Sequence, residues 1–270
     1  MWIPLFIFVV VIGAVLLRGW KLRRNRAQLL QSALTSGERE IIAQQVPLVA
    51  RMPQNLRDQL EGKVCLFLDQ VTFQGYNGLE VTEEMQLSIA AQACLLVVNT
   101  DAWYNNLTTV MIYPSAFKSK GQRSDGFVVT QTETVRTGES WTRGPVILSW
   151  AHSVQGALNA EDGQNVVIHE FAHQFDDRSG RADGVPLLAQ SQSYATWIEV
   201  FRDAYERHVH LTEQGKPTVI DPYGATGHEE FFATAVEVFF ESAHALQEAE
   251  PDVYGQLLQV FQIDPAAWGT

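Results

Sequence analysis

The sequence predicts an α+β protein: an N-terminal membrane-anchor helix, then a mostly helical body with a small β-sheet beside one central helix. Three observations carry this. Residues 2–17 are an uninterrupted apolar run. Several later segments repeat apolar residues at helical spacing. Between them lie three short runs rich in β-branched residues, at 108–113, 126–135 and 145–150.

The apolar run is 16 residues long and is followed by Arg18, Gly19, Trp20 and then Lys21, Arg23, Arg24 and Arg26. Trp2 and Trp20 stand at its ends, where interfacial aromatics sit, and Arg18 can snorkel, so counting to Trp20 makes a span over residues 2–20. A cleaved signal peptide wants its positive charge before the core and a small-residue cleavage site after it; here the charge follows and the site is missing. The expectation is an uncleaved single-pass anchor in the inner (cytoplasmic) membrane with the body facing the cytoplasm, the alternative being a cytoplasmic protein without an anchor. The chain divides into 1–26, transmembrane anchor and basic flank; 27–107, a helical part; and 108–270, which holds the sheet and the chemistry. Residues 27–270 are expected to form one compact unit.

Charge narrows the partners. The formal charge is −12, from 19 basic and 31 acidic residues; without the five cations of residues 18–26, 14 basic against 31 acidic leave −17. Such a body repels a phosphate backbone, which argues against nucleic acid as a partner. The two cysteines, Cys65 and Cys94, are embedded in apolar sequence and read as buried thiols.

Along the body, Thr35-Ser36-Gly37-Glu38 has capping-box spacing and opens a short helix. Leu56, Leu60 and Val64 mark a helix over 56–71, and Gly75 to Gly78 a turn. Thr82-Glu83-Glu84 caps a helix from Met85 to about Val98, with acids in the first turn, where the helix dipole favours them. Its middle is almost wholly apolar, which predicts burial on most sides.

The helix from about Val166 carries His169-Glu170-Phe171-Ala172-His173. Residues four apart share a helix face, so both histidines can place a ring nitrogen on one zinc ion. Glu170, beside the first ligand, is placed as general base activating water at the metal, the arrangement that hydrolyses peptides. Asp162-Gly163-Gln164-Asn165 supplies the turn and N-cap, and Ile168, Phe171 and Phe175 form a separate packing stripe. A catalytic zinc needs a third protein ligand. The extended motif would require glycine at 176 and histidine at 179, where this chain has Asp176 and Ser179. A carboxylate on the helix of 229–241 is the alternative. Glu230, Thr234, Glu237 and Glu241 share one face there, and spacing does not choose between Glu230 and Glu237; a solvated acidic face is the plainer reading.

Several blocks are more specific than the histidine pair. Asn165-Val166-Val167-Ile168-His169-Glu170-Phe171-Ala172-His173-Gln174-Phe175-Asp176, Ala182-Asp183-Gly184-Val185-Pro186, and Asp221-Pro222-Tyr223 ahead of Glu230-Phe231-Phe232-Ala233 resemble the Mlc titration factor A family of zinc peptidases. So do Gly78-Leu79-Glu80-Val81-Thr82, the run Ile89 to Leu96, and Gly144 to Trp150, over about residues 50–265. The resemblance implies a zincin-like fold similar to the lethal factor catalytic domain, with Zn2+ held by His169, His173 and Glu230. It further implies Glu170 as general base, Tyr223 as donor to the oxyanion, and Glu237 as a supporting acid. Asp176 either orients an imidazole or bonds at the helix end, and the strand of 145–150 is expected at a sheet edge beside the cleft. The implied activity is zinc-dependent, aminopeptidase-like hydrolysis of peptide or protein substrates; the alternative is a binding protein that sequesters a transcriptional regulator. Two features depart from the family pattern: residues 1–26 have no counterpart, and His228, two residues before Glu230, is either a bystander or a rival metal ligand.

Overall fold

The computed structural model describes residues 3–124, 129–136, 138–140 and 144–269. The first helix, α1 (Ile3–Leu29), is followed by α2 (Ser36–Gln45), α3 (Leu48–Arg51) and α4 (Gln54–Gln70), then strand β1 (Thr72–Gly75) and α5 (Glu83–Leu95). Strands β2 (Thr109–Tyr113), β3 (Phe117–Ser124), β4 (Val129–Arg136), β5 (Gly138–Ser140) and β6 (Val146–Ser149) come next. Six helices complete the body: α6 (Trp150–Leu158), α7 (Val166–Asp176), α8 (Tyr194–Glu213), α9 (His228–Glu241), α10 (Ala243–Ala249) and α11 (Pro251–Phe261).

The expected anchor is overturned. Among the described residues no helix is long and apolar enough to cross a membrane. The uninterrupted apolar run of 16 residues reaches only ~24 Å at ~1.5 Å per residue, and counting to Trp20 takes in Arg18 and gives ~28 Å, against a hydrocarbon core of ~30 Å. The helix does not stop at a membrane boundary either. It continues through the cations to Leu29, and its last turns dock on the body: Arg26 lies 5.1 Å from the Trp103 ring, Asn25 Nδ2 donates to Asp69 at 3.4 Å, and Leu29 and Leu30 pack against the core. The membrane contact through residues 2–20 and the single-pass placement of the body are withdrawn with the anchor.

The sequence signals of the body materialise locally. Thr35 and Glu38 form the reciprocal capping box of α2. Thr82 accepts from the Met85 amide to cap α5, and every residue from Leu87 to Val98 is buried. The main sheet runs β1-β2-β6-β5; β1, β2 and β6 are parallel and β5 is antiparallel at the edge. Val110, Ile112, Val146 and Leu148 are fully buried on its inner face. The strand expected at the edge, β6, is therefore internal: Val146 pairs with Val110 on one side and Ser140 on the other. Strands β3 and β4 form a separate antiparallel pair; the expected strand over 126–135 begins here at Val129, and its first residues lie outside the described ones.

One cluster of buried side chains runs from Leu34 to Trp268. Phe171 of α7 packs on Phe67 and Tyr104 at 5.7 and 5.2 Å, and Phe175 on Phe261 at 5.1 Å. Phe232 of α9 meets Trp197 of α8 at 6.1 Å, and Phe239 meets Phe261 at 5.6 Å. These contacts fix α7 against α9, the two helices that carry the candidate ligands.

Candidate metal centre

Helix α7 starts where Asn165 makes it start. The Asn165 side-chain oxygen accepts from the Val167 and Ile168 amides, satisfying two donors that a helix leaves open. Its Nδ2 donates to Gln92 Oε1 of α5 and to Glu241 Oε1 of α9, each at 2.9 Å, and its backbone amide donates to Glu237 Oε2. One buried asparagine thus ties three helices together with its whole hydrogen-bonding capacity.

Past this cap, His169 and His173 project from one face of α7. Their Nε2 atoms stand 3.2 Å apart, and Glu230 Oε2 lies 3.0 Å from the first and 3.2 Å from the second. Two donors each ~2.0–2.1 Å from a tetrahedral zinc ion stand about 3.3 Å apart, so the three atoms have the spacing such an ion requires. The donor set, two imidazoles and a carboxylate, is also one that zinc takes. On the other edge of the ring, His169 Nδ1 lies 2.8 Å from Glu237 Oε1. A neutral His169 donating there turns the Nε2 lone pair toward the Glu230 oxygen, and two facing lone pairs call for a cation between them.

The electrostatics show the same demand for positive charge between the histidines and the carboxylates, met here by a proton on His169. Burial disfavours a charged His169, yet Glu237 and Glu230 outweigh it and raise the imidazole well above its ordinary value. Glu230 is pushed up by burial, but hydrogen bonds from His169 and His173 hold it well below the usual carboxylate range. Glu241, buried deeper, is pushed up by desolvation to about 8, with Asn165 opposing.

The acidic stripe of α9 is therefore no solvated face: Thr234, Glu237 and Glu241 are buried, and Glu237 and Glu241 turn toward α7 and its cap. Glu230 approaches both histidines, Glu237 supports one of them from behind, and Glu241 supports Asn165. Tyr223 sits on a short 3-10 turn whose first carboxylate, Asp221, accepts the Tyr223 amide at 2.8 Å. The Tyr223 hydroxyl donates to Glu230 Oε1 at 3.3 Å, and its ring centroid is 5.9 Å from that of His169. His228 packs on Tyr205 with its ring tilted, centroids 4.1 Å apart, and stands outside the His169, His173 and Glu230 cluster. Asp176 does not reach a ligand imidazole through any described hydrogen bond; its Oδ2 accepts the Gly184 amide at 2.7 Å, and burial raises it to about 7. Gly184 is required there: its φ is +78°, and a Cβ would lie 2.7 Å from the His228 carbonyl oxygen.

His169, His173, Tyr223, Glu230 and Glu237 open onto one cavity of about 720 Å³. Its wall includes residues that sequence reasoning leaves unassigned. Gly138 and Glu139 come from β5, and His152 comes from α6, where Ser149 Oγ lies 2.7 Å from its Nδ1. Strand β5 is three residues long, too short for an alternation signal, so nothing in the sequence marks Gly138.

Comparison with known proteins agrees with this geometry. Residues 19–262 match the family described as glucose-regulated metallo-peptidase M90. The chain is 40% identical over 241 residues to an uncharacterized protein of Synechocystis sp., covering 88% of each. It is 30% identical over 228 residues to Mlc titration factor A of Klebsiella pneumoniae, 82% of this chain and 84% of that one. The Mlc titration factor A of Yersinia pestis is 29% identical over 92% of this chain and 90% of its own length. Family membership implies a metal ion, and His169, His173 and Glu230 are the described cluster able to hold it. The chain belongs to the glucose-regulated metallo-peptidase M90 family.

Proposed function

We propose that this protein is a zinc-dependent peptidase of aminopeptidase type, with His169, His173 and Glu230 as metal ligands. The observation that carries the reading is the 3.0–3.2 Å spacing of three donor atoms on two helices whose separation is fixed by the Asn165 and Glu237 hydrogen bonds. Zinc bound there supplies Lewis acidity, which polarises a carbonyl and lowers the pKa of water.

The chain's own residues supply the rest. Glu170, adjacent in sequence to one ligand and lining the cavity, takes the proton from the attacking water and returns it to the departing amine. Tyr223 turns its hydroxyl from Glu230 to the oxygen on which negative charge develops. Glu237 keeps His169 in the tautomer that presents Nε2.

The aminopeptidase assignment rests on charge. Among the described residues, eight carboxylates line the cavity (Glu139, Asp162, Glu170, Asp177, Asp221, Glu229, Glu230 and Glu237) and no lysine or arginine does. Such a wall attracts a peptide's N-terminal ammonium and repels its C-terminal carboxylate.

Glu170→Gln is the test. Hydrolysis of a fluorogenic peptide library is expected to vanish while one zinc per chain is retained, and free amino termini are expected to be cleaved in preference to acetylated ones. Wild-type hydrolysis by Glu170→Gln in zinc-replete buffer contradicts the mechanism, and equal cleavage of acetylated peptides contradicts the aminopeptidase assignment. A second reading comes from the relatives' name: this chain sequesters a transcriptional regulator, with or without hydrolysis. Binding that survives Glu170→Gln unchanged separates that role from catalysis.

A further inference from the structure

Helix α7 presents Glu170 to a different neighbour from the one that meets its histidines. Gly138, the first residue of edge strand β5, pairs with Leu148 of β6 and lies over α7. A Cβ built on Gly138 would overlap Glu170 Oε1, and would stand only 2.7 Å from Glu170 Cγ and 2.7 Å from Val166 Cγ2. Carbon atoms in contact settle at about 3.5–4.0 Å, so the shortfall is ~1 Å on two carbons at once. The Gly138 backbone is therefore seated in the groove between side chains four apart on α7. Its φ is not among the positive values, so the demand is for space, not for left-handed backbone.

The consequence falls on Glu170. Its side chain has three rotors and lines a cavity of about 720 Å³, yet the residue is only 5% exposed. The strand backbone stands against it at Gly138. We propose that Gly138 is a positioning residue for the general base: a bare Cα in β5 confines the Glu170 carboxylate at the angle from which it serves the metal site. This rests on the reading of Glu170 as the base. Adding one methyl group at 138 displaces the carboxylate by the ~1 Å that, at a reacting centre, lowers rates by about 100-fold. The ligands are untouched, since Glu237 and Asn165 hold His169 and the start of α7 from the other side.

The test is a double-mutant cycle on the zinc-loaded full chain, read on the fastest-cleaved member of the fluorogenic library. Gly138→Ala is expected to lower kcat by 10- to 100-fold, with KM and zinc affinity within twofold of wild type. Glu170→Asp withdraws the carboxylate by one methylene and is expected to lower kcat about 100-fold alone. In the Gly138→Ala background it is expected to add a loss of threefold at most, because the shorter acid vacates the space that the methyl takes. Wild-type kcat for Gly138→Ala, or losses that simply multiply, overturns the proposal. If Gly138→Ala lowers Tm instead, Glu170→Ala in that background must restore it; no restoration also overturns the proposal. Activity of Glu170→Gln would refute the base itself, a separate outcome from either.

Discussion

The two sides of α7 are held by different means. On the ligand side, His169 and His173 meet a lattice of side-chain hydrogen bonds: Glu230, then Glu237, then Asn165 with Glu241 and Gln92. On the base side, the bare backbone of Gly138 stands against Glu170 and the Val166 methyl. Hydrogen bonds fix direction and protonation state, which a metal ligand needs. A close backbone wall fixes the position of a carboxylate, which a base needs. Metal affinity and turnover should therefore separate under mutation.

The largest expected effect is on the base side. Glu170→Gln should lower kcat by about 10²–10⁴-fold with zinc content intact, as measured by turnover and metal analysis on one preparation. Tyr223→Phe, which removes only a hydroxyl beside Glu230, should lower kcat about 10²–10³-fold with little change in zinc affinity. A change confined to KM would place Tyr223 in substrate binding instead.

The ligand side should answer in affinity. Glu237→Gln is expected to weaken zinc binding about 10–100-fold, read by competition with a chromogenic chelator. Asn165→Ala removes the cap of α7 and leaves Glu241 without its partner; a loss of about 2–4 kcal/mol in chemical unfolding is expected. An Asn165→Ala protein as stable as wild type would mean that the lattice does not hold the helix.

The smallest effect is in pH. Glu241 is raised by burial from the ordinary 4.5 to about 8, so the folded state favours its neutral form. That preference stabilises the fold at low pH and is lost as pH rises from about 4.5 through 8. Glu241→Gln should flatten the decline of metal-free stability over that window, measured as Tm against pH. An unchanged slope would assign the decline to other groups, His169 first, whose raised imidazole also loses its stabilising proton as pH rises.

The same contrast explains what the sequence makes legible. The ligand side is written in side chains: the histidine pair, the N-cap Asn165 and the polar stripe of α9 stand at helical spacing, so their shared faces follow from sequence. What spacing leaves open is which carboxylate faces the metal, because Glu230 and Glu237 are two turns apart on one stripe; only the crossing of α7 and α9 decides it. The base side is written in backbone, and a glycine in a three-residue strand carries no pattern. Helix α8 has its stripe of Trp197, Phe201, Ala204 and His208 at helical spacing and is open to the same argument as α7. The anchor expectation fails for a different reason: the apolar run and its flanking tryptophans carry it, but no described helix is long and apolar enough to cross a membrane, and the packing of Arg26, Leu29 and Leu30 on the body has no local signature.

Zinc affinity across two variants tests most directly which residues hold the metal. Titrated by calorimetry at one pH, Glu230→Gln should bind zinc at least 100-fold more weakly than wild type, and Glu170→Gln should bind it within twofold. Near-wild-type affinity for Glu230→Gln, or a large loss for Glu170→Gln, would contradict the assignment of ligand and base.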